Sequence, residues 1–470
     1  MSSVTATSGG RKKPSQLASV VGTVFGNFME FIDFGSYGFV AAIIGAQFFT
    51  NSSPVVQLLS SLAVFGVSFL FRPVGGALFG YIGDRYGRKT ALTWSVILMS
   101  LGTGLIGCLP NHSTIGVAAP VLLVLLRAIQ GVSVGGEFAG SGAYIVEMSP
   151  ANRRGLWSSF VSFSSAIGTL FSSTLILILT STLTTDAMNT WGWRIPFLLA
   201  FPIGAIGLYM RLRLDESPVY EHVRDTAAME LTSRNPYRHY GWQEIATILI
   251  SLVFAGGAGL GYYFFSSYFN TYLTATAGLS RTAAIALSSI SLLFYAALLP
   301  LAGLVSDLIG RKWLFICAFF AHAIAAVPLF FMLGSGSIGL ALGALLIYAV
   351  IQSVVNVLTS TILAEMFNAK TRVSGGGIGQ NVGVIIGGTG PFVGAFLVAQ
   401  THLSYSPGIY FAIVMAIVGI VMAFTLQETY KINLYRNTAR VAKGSDGSET
   451  VTVLDPAQAA AAQAVKAARG

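Results

Sequence analysis

The sequence predicts an all-α membrane protein of twelve transmembrane helices in two six-helix halves. Three observations predict it. Of 470 residues, 54% are hydrophobic and only 10% charged, far below the roughly 25% of a soluble domain, so most of the exterior must face lipid. The apolar runs are long enough to cross the hydrocarbon core as helices, about 20 residues each, and lack the in/out alternation of a barrel strand. Two polar motifs recur in the same order in the first and second halves of the chain.

The spans are expected near 17–48, 55–83, 89–110, 115–147, 153–184, 191–212, 242–275, 280–307, 311–333, 337–367, 370–400 and 404–427. These give an N-terminal segment 1–16, a first half 17–212, a central polar loop 213–241, a second half 242–427 and a tail 428–470. The tail is polar and then Ala-rich, and is expected to be disordered apart from one short helix. The first apolar run continues through Glu30 and Asp33, so it reads as a retained span and not as a cleaved leader.

Charge sets the orientation. Arg11, Lys12 and Lys13 precede span 1, and alternate loops hold Arg85, Arg88 and Lys89; Arg153 and Arg154; Arg311 and Lys312; Lys370 and Arg372. The opposite loops hold little beyond Asp186, Arg194 and Arg281. By the positive-inside rule both termini are expected to be cytoplasmic. The net charge of +9 then needs no nucleic acid to explain it. Cys108 and Cys317 lie in apolar runs without metal or redox spacing and read as small hydrophobes.

The first repeated motif is Gly80-Tyr81-Ile82-Gly83-Asp84-Arg85-Tyr86-Gly87-Arg88-Lys89, matched by Gly303-Leu304-Val305-Ser306-Asp307-Leu308-Ile309-Gly310-Arg311-Lys312. Both read G-x-x-x-D-x-x-G-R-K and lie 223 residues apart. The second sets Glu147 seven residues before Arg154 and Glu365 seven before Arg372, 218 residues apart. Two parallel six-helix repeats imply a binding site between the halves near the bilayer midplane. Each Asp is expected to cap the next helix and pair with a basic neighbour. Asp84, Arg85, Arg88, Glu147, Arg154, Asp307, Arg311, Glu365 and Arg372 thus form a candidate gate latch, with a plain topology anchor as the other reading.

These residues resemble the major facilitator superfamily, whose loop signature Gly80–Lys89 matches closely. Gly26-Asn27-Phe28-Met29-Glu30-Phe31-Ile32-Asp33-Phe34-Gly35 is similar to the first helix of its metabolite:proton symporter family, as are Arg72-Pro73-Val74-Gly75-Gly76, the run Arg127 to Glu137 and Trp191 to Phe197. The resemblance spans roughly residues 20–430 and implies a proton-coupled symporter of a small polar metabolite. Permeases for 2-oxoglutarate, citrate, shikimate and proline with betaine belong to that family. Arg127, found in its carboxylate-transporting members, and the lack of a coiled-coil tail imply an organic acid; zwitterionic osmolytes and passive facilitation are the alternatives. Phe31-Ile32 departs from the aromatic pair of several members.

Charges inside a membrane are costly and are functional candidates by default. Glu30, Asp33 and Tyr37 fall within about 60° of one face of span 1. A carboxyl in apolar surroundings is the natural carrier of a coupling proton, so Glu30 and Asp33 are candidates, with permanent pairing to Arg72 as the alternative. Arg72 lies about 18 Å up its helix from the Asp84 loop and must have an acidic partner or line a cavity. On span 4, Arg127, Gln130 and Glu137 share a stripe. Arg127 offers a planar fork suited to a carboxylate, or an ion pair with span 1; Glu137 is a further coupling candidate. Tyr37, Tyr263, Asn356, Gln380 and Asn381 are candidate solute contacts, though polar side chains also serve as interhelical glue. His322, on a span expected to be peripheral, reads as structural. No nucleotide-binding loop and no nucleophile–base set appear, so an enzyme is not expected, nor a cofactor or metal. One chain is expected to function alone in the cell inner membrane.

Overall fold

The structure, a computed structural model, describes residues 16–50, 52–86, 88–135, 141–142, 145–146, 149–212, 241–367, 372–432, 440–443 and 449–452. Twelve helices follow the expected spans: α1 Gln16–Phe48, α2 Pro54–Tyr86, α3 Arg88–Cys108, α4 Ala118–Val134, α5 Arg154–Thr182, α6 Gly192–Leu212, α7 Trp242–Ala275, α8 Arg281–Ile309, α9 Lys312–Leu333, α10 Ile338–Met366, α11 Arg372–Thr401 and α12 Ser406–Thr425. Among the described residues eleven are long and apolar enough to cross a membrane, and α4 is shorter.

The duplication is visible in the packing. In the first half α1 lies on α5, α2 on α4 and α3 on α6; in the second α7 lies on α11, α8 on α10 and α9 on α12. The halves meet along two long seams, α5 with α8 and α2 with α11, which exchange under the same repeat. Glycine permits the closest crossings. A side chain at Gly131 or Gly135 would strike the Ser68 or Arg72 carbonyl of α2, and one at Gly387 would strike the α7 backbone. Without a hydrophobic drive between helices in lipid, close backbone packing of this kind holds the bundle.

The polarity is inverted relative to a soluble protein. Ile324 is 78% and Phe424 87% exposed, whereas Arg127 and Gln352 are fully buried. Local devices set the helix ends. Ser280 and Ser337 cap α8 and α10 by accepting the Ala283 and Leu340 amides. Gly310, the second motif glycine, ends α8 at φ +95°, a conformation that favours glycine.

Three details depart from expectation. Span 4 does not begin at residue 115, because a short helix His112–Ile115 breaks at Gly116, φ +59°, before α4 starts. Helix α7 contains a π-turn, Phe264–Tyr268, a feature that often marks a functional site. The tail, expected to be disordered with one short helix, instead shows among its described residues an antiparallel ribbon of β1 Arg440–Lys443 with β2 Glu449–Thr452. The central loop 213–240 lies outside the described residues.

Candidate functional site

The polar face of α1 meets α2, α4 and α5 at mid-depth. Asn27 donates to the Val161 carbonyl (2.8 Å) and to the Ser164 and Ser165 hydroxyls (2.9 and 2.6 Å), which ties α1 to α5. One turn on, Glu30 is paired with Arg72 of α2. Asp33 accepts from Arg127 of α4 at 2.7 Å and from Gln130 at 2.9 Å. Gln130 also donates to Thr103 of α3, 2.7 Å away. Two acids and two arginines thus form a neutral, buried foursome. Its hydrogen bonding is incomplete: Glu30 Oε2, Arg72 Nε, Gln130 Oε1, and Nε and Nη2 of Arg127 have no partner among the described residues.

Of the two readings weighed for Arg127, ion pair and open cation, the structure contains the ion pair, yet one edge of the guanidinium is unbonded among the described residues. Tyr37, a candidate solute contact, donates its hydroxyl to the Ser61 carbonyl (3.0 Å). Its ring lies under Arg127, 4.0 Å from the guanidinium carbon, where it attracts the cation.

Beside the foursome stands an aromatic cluster that sequence reasoning missed. Phe34 stacks on Phe69 at 5.0 Å, and Tyr263 of α7 closes on Phe69 at 4.7 Å and on Phe34 and Phe65 at 6.0 Å. Arg72 stands 5.5 and 5.4 Å from the Phe34 and Phe69 rings, with Tyr263 at its side. The available signal was Phe65 and Phe69, one turn apart and just ahead of Arg72, on one helix face.

From the second half, Tyr262 reaches across the seam to the Thr169 hydroxyl of α5 (2.9 Å). Asn381 donates to the Gly135 carbonyl just past α4, and Gln380 is buried with no partner for its Oε1 among the described residues. Asn356 is hydrogen-bonded to Gln352 and Tyr295. Glu137 lies outside the described residues.

At the basic end the second copies of the motifs converge. Asp307 does not cap the following helix, as expected; it accepts the Gly155 and Leu156 amides (2.9 and 2.8 Å) at the start of α5 in the opposite half. The halves pack so that this N-terminus, with its partial positive charge, faces α8. Arg311 bonds Asp307 at 2.8 Å and Glu365 at 3.4 Å, and Arg154 lies 3.9 Å from Glu365. Four of the nine latch candidates are thus one cluster. Glu147 and the side chains of Asp84, Arg85, Arg88 and Arg372 lie outside the described residues. The chain leaving α12 covers the cluster: Thr429 donates to Glu365 (2.7 Å), and Glu428 accepts the Arg311 and Lys312 amides (3.0 and 3.1 Å). Burial alone would raise the Glu428 carboxyl, but backbone amides of Tyr430, Arg311, Lys312 and Thr429 outweigh it and hold the group below its ordinary value.

A twelve-helix bundle of duplicated halves, with charges paired at mid-depth inside its first half, defines a membrane transporter and not an enzyme. The chain belongs to the major facilitator superfamily. Residues 19–249 match the family model for sugar (and other) transporters and residues 252–445 that of the Major Facilitator Superfamily. It is 35% identical over 420 residues to the glycine betaine/proline/ectoine/pipecolic acid transporter OusA of Dickeya dadantii, covering 87% of this chain and 83% of that one. It is 36% identical to the ectoine/proline transporter ProP of Corynebacterium glutamicum (88% and 84%) and 34% to the proline/betaine transporter of Escherichia coli (87% and 83%). A solved proton:xylose symporter, XylE, shares the fold with TM-score 0.72 and 20% identity, covering 89% of this chain and 97% of that one. These relatives do not support the organic-acid expectation; they support the zwitterionic alternative.

Proposed function

We propose that this transporter is a proton-coupled symporter for zwitterionic solutes of the proline and betaine class, working by alternating access in the cell inner membrane with both termini cytoplasmic. The observation that carries the reading is Arg127, a buried guanidinium held by Asp33 on one side and, among the described residues, unbonded along Nε and Nη2. That edge is a fork for one carboxylate. Asp33 and a solute carboxylate compete for the same cation. Protonating Asp33 leaves the Arg127 charge uncompensated and so strengthens its hold on the solute carboxylate, and solute binding in turn favours the protonated acid, a reciprocal coupling. The cationic end of the solute is suited to the ring faces of Phe34, Phe65, Phe69 and Tyr263, since quaternary ammonium groups bind aromatic faces. The relatives named for betaine and proline agree with one carboxylate beside one cation. Glu30 and Arg72 serve as the supporting pair, and one chain is the working unit.

The test is uptake of labelled glycine betaine and proline into proteoliposomes. Accumulation should require an inward proton gradient and collapse with a protonophore. Uptake indifferent to the gradient would make the protein a passive facilitator and sink the symport reading.

The Asp307 cluster acts as a latch at the cytoplasmic end. Asp307→Asn keeps one acceptor for α5 but removes the charge, so turnover should fall about tenfold while solute affinity changes little, because the latch biases conformations without touching solute. Equal losses in turnover and affinity would rule the latch out.

A further inference from the structure

The second half holds a buried polar chain that the coupling reading leaves unused. His322 of α9 lies between Tyr348 and Phe411 (ring centroids 4.6 and 5.3 Å), with Nε2 3.0 Å from Gln352 Oε1. Gln352 Nε2 reaches the Ala258 carbonyl (3.2 Å) and Asn356 Oδ1 (2.8 Å). Asn356 Nδ2 reaches the Tyr295 hydroxyl at 2.6 Å. A side chain at Gly261 would collide with Gln352, so the amide is held closely in place.

One backbone carbonyl sets the direction of every bond. Ala258 O can only accept, so Gln352 must present its NH₂ to it and to Asn356, and its Oε1 to His322. His322 must then carry its proton on Nε2; Nδ1 has no partner among the described residues. Asn356 accepts through Oδ1 and therefore donates through Nδ2 to Tyr295. The Tyr295 hydroxyl is consequently an acceptor from Asn356 and must send its own proton elsewhere. No acceptor for that proton stands within hydrogen-bond distance among the described residues. Tyr295 sits midway along α8, the helix that packs on α5 of the first half, and its ring lies 6.3 Å from that of Tyr262, whose hydroxyl bonds the first half.

We propose that Tyr295 is the second-half donor to the solute carboxylate, and that His322, acting through Gln352 and Asn356, is a positioning residue that keeps the Tyr295 proton turned toward the seam. The proposal rests on the reading that the solute carries a carboxylate. Aligned donors polarise one another, so a hydroxyl that accepts at one side donates more strongly at the other. A carboxylate held by Arg127 from one half and Tyr295 from the other would link occupancy to closure. Without the His322 proton, Gln352 Oε1 loses its donor. Gln352 is then held only by its NH₂ bonds to Ala258 and Asn356 and can swing away to satisfy that buried oxygen, so Asn356 and the Tyr295 hydroxyl that it aligns lose their fixed position.

The experiment measures proteoliposome uptake of labelled glycine betaine and proline by the full-length protein, with thermal unfolding as the control for folding. Tyr295→Phe should raise the half-saturation concentration about tenfold or more, the loss of a bond to a charged group, with maximal rate little changed. Asn356→Asp, nearly isosteric, forces Tyr295 to donate to the new carboxylate and should do at least as much. His322→Leu should raise half-saturation by about threefold, while His322→Gln, which restores a donor, should stay near wild type. The His322→Leu/Tyr295→Phe pair should be no worse than Tyr295→Phe alone, since residues in one network do not add. Unchanged half-saturation in Asn356→Asp, or multiplying effects in the double variant, overturns the relay. So does a His322→Leu protein altered only in maximal rate or unfolding temperature. If wild type carries a different carboxylate solute, the proline/betaine reading falls and the variants are read with that solute. Uptake confined to solutes without a carboxylate overturns the relay as well.

Discussion

An Asp33→Asn transporter is expected to equilibrate solute across the membrane without concentrating it. Both Asp33 oxygens are engaged, Oδ2 by Arg127 and Oδ1 by Gln130. Asparagine keeps one acceptor and has nearly the same shape, so it imitates the protonated acid permanently. Arg127 is then open to a solute carboxylate whether or not a proton arrives, and the proton gradient has nothing to act on. Accumulation should fall to the passive limit, while exchange of labelled for unlabelled solute across the same membrane persists. The comparison variant is Glu30→Gln. It leaves Arg72 buried without its anion, a loss on the order of 3–5 kcal/mol, and should appear as lowered thermal stability, not as uncoupling. An Asp33→Asn protein that still concentrates solute under an inward proton gradient would transfer the coupling role to Glu30.

Hydropathy and loop charge made the twelve spans legible, because lipid demands long apolar helices and lysine and arginine resist translocation. The duplicated motifs likewise announced the pseudo-symmetric packing of the halves. Helical periodicity, however, tells which face a residue occupies and not who stands opposite. Glu30 and Asp33 were assigned to one face, but their partners depend on how α2 and α4 cross α1, and Arg127 lies 94 residues from Asp33. Of the two readings open for Arg127, the ion pair with span 1 is the one that the structure contains, and Asp33 balances its charge. The same limit explains Asp307, whose partner is the start of α5 in the other half. The Phe34–Phe69–Tyr263 cluster was hidden for another reason: aromatic residues are common in any membrane span, and only the crossing of three helices makes these a group. The π-turn of α7 and the break at Gly116 are backbone events without a residue pattern of their own.

Arg127→Ala should weaken solute binding more than any other single substitution in the first half. The guanidinium is wholly buried, and Nε and Nη2 have no bond to any described residue, so two charge-assisted bonds to a carboxylate become available at once. Removing it also leaves the Asp33 carboxylate buried with only Gln130 for company, and that uncompensated charge adds to the loss. Together the cost is on the order of 2–5 kcal/mol in binding. Lysine keeps the charge but not the planar fork, so Arg127→Lys should lie between wild type and alanine. Two further measurements separate recognition from general damage. The Arg127→Ala/Asp33→Asn double variant removes both charges of the pair, and should recover the thermal stability lost by Arg127→Ala without recovering affinity. A methyl ester of glycine betaine has no carboxylate to offer the fork, so it should bind wild type poorly and be nearly indifferent to Arg127→Ala. If Arg127→Ala binds glycine betaine as tightly as wild type does, the anchor lies elsewhere, and Arg72, whose Nε also has no partner among the described residues, is the next guanidinium able to supply it.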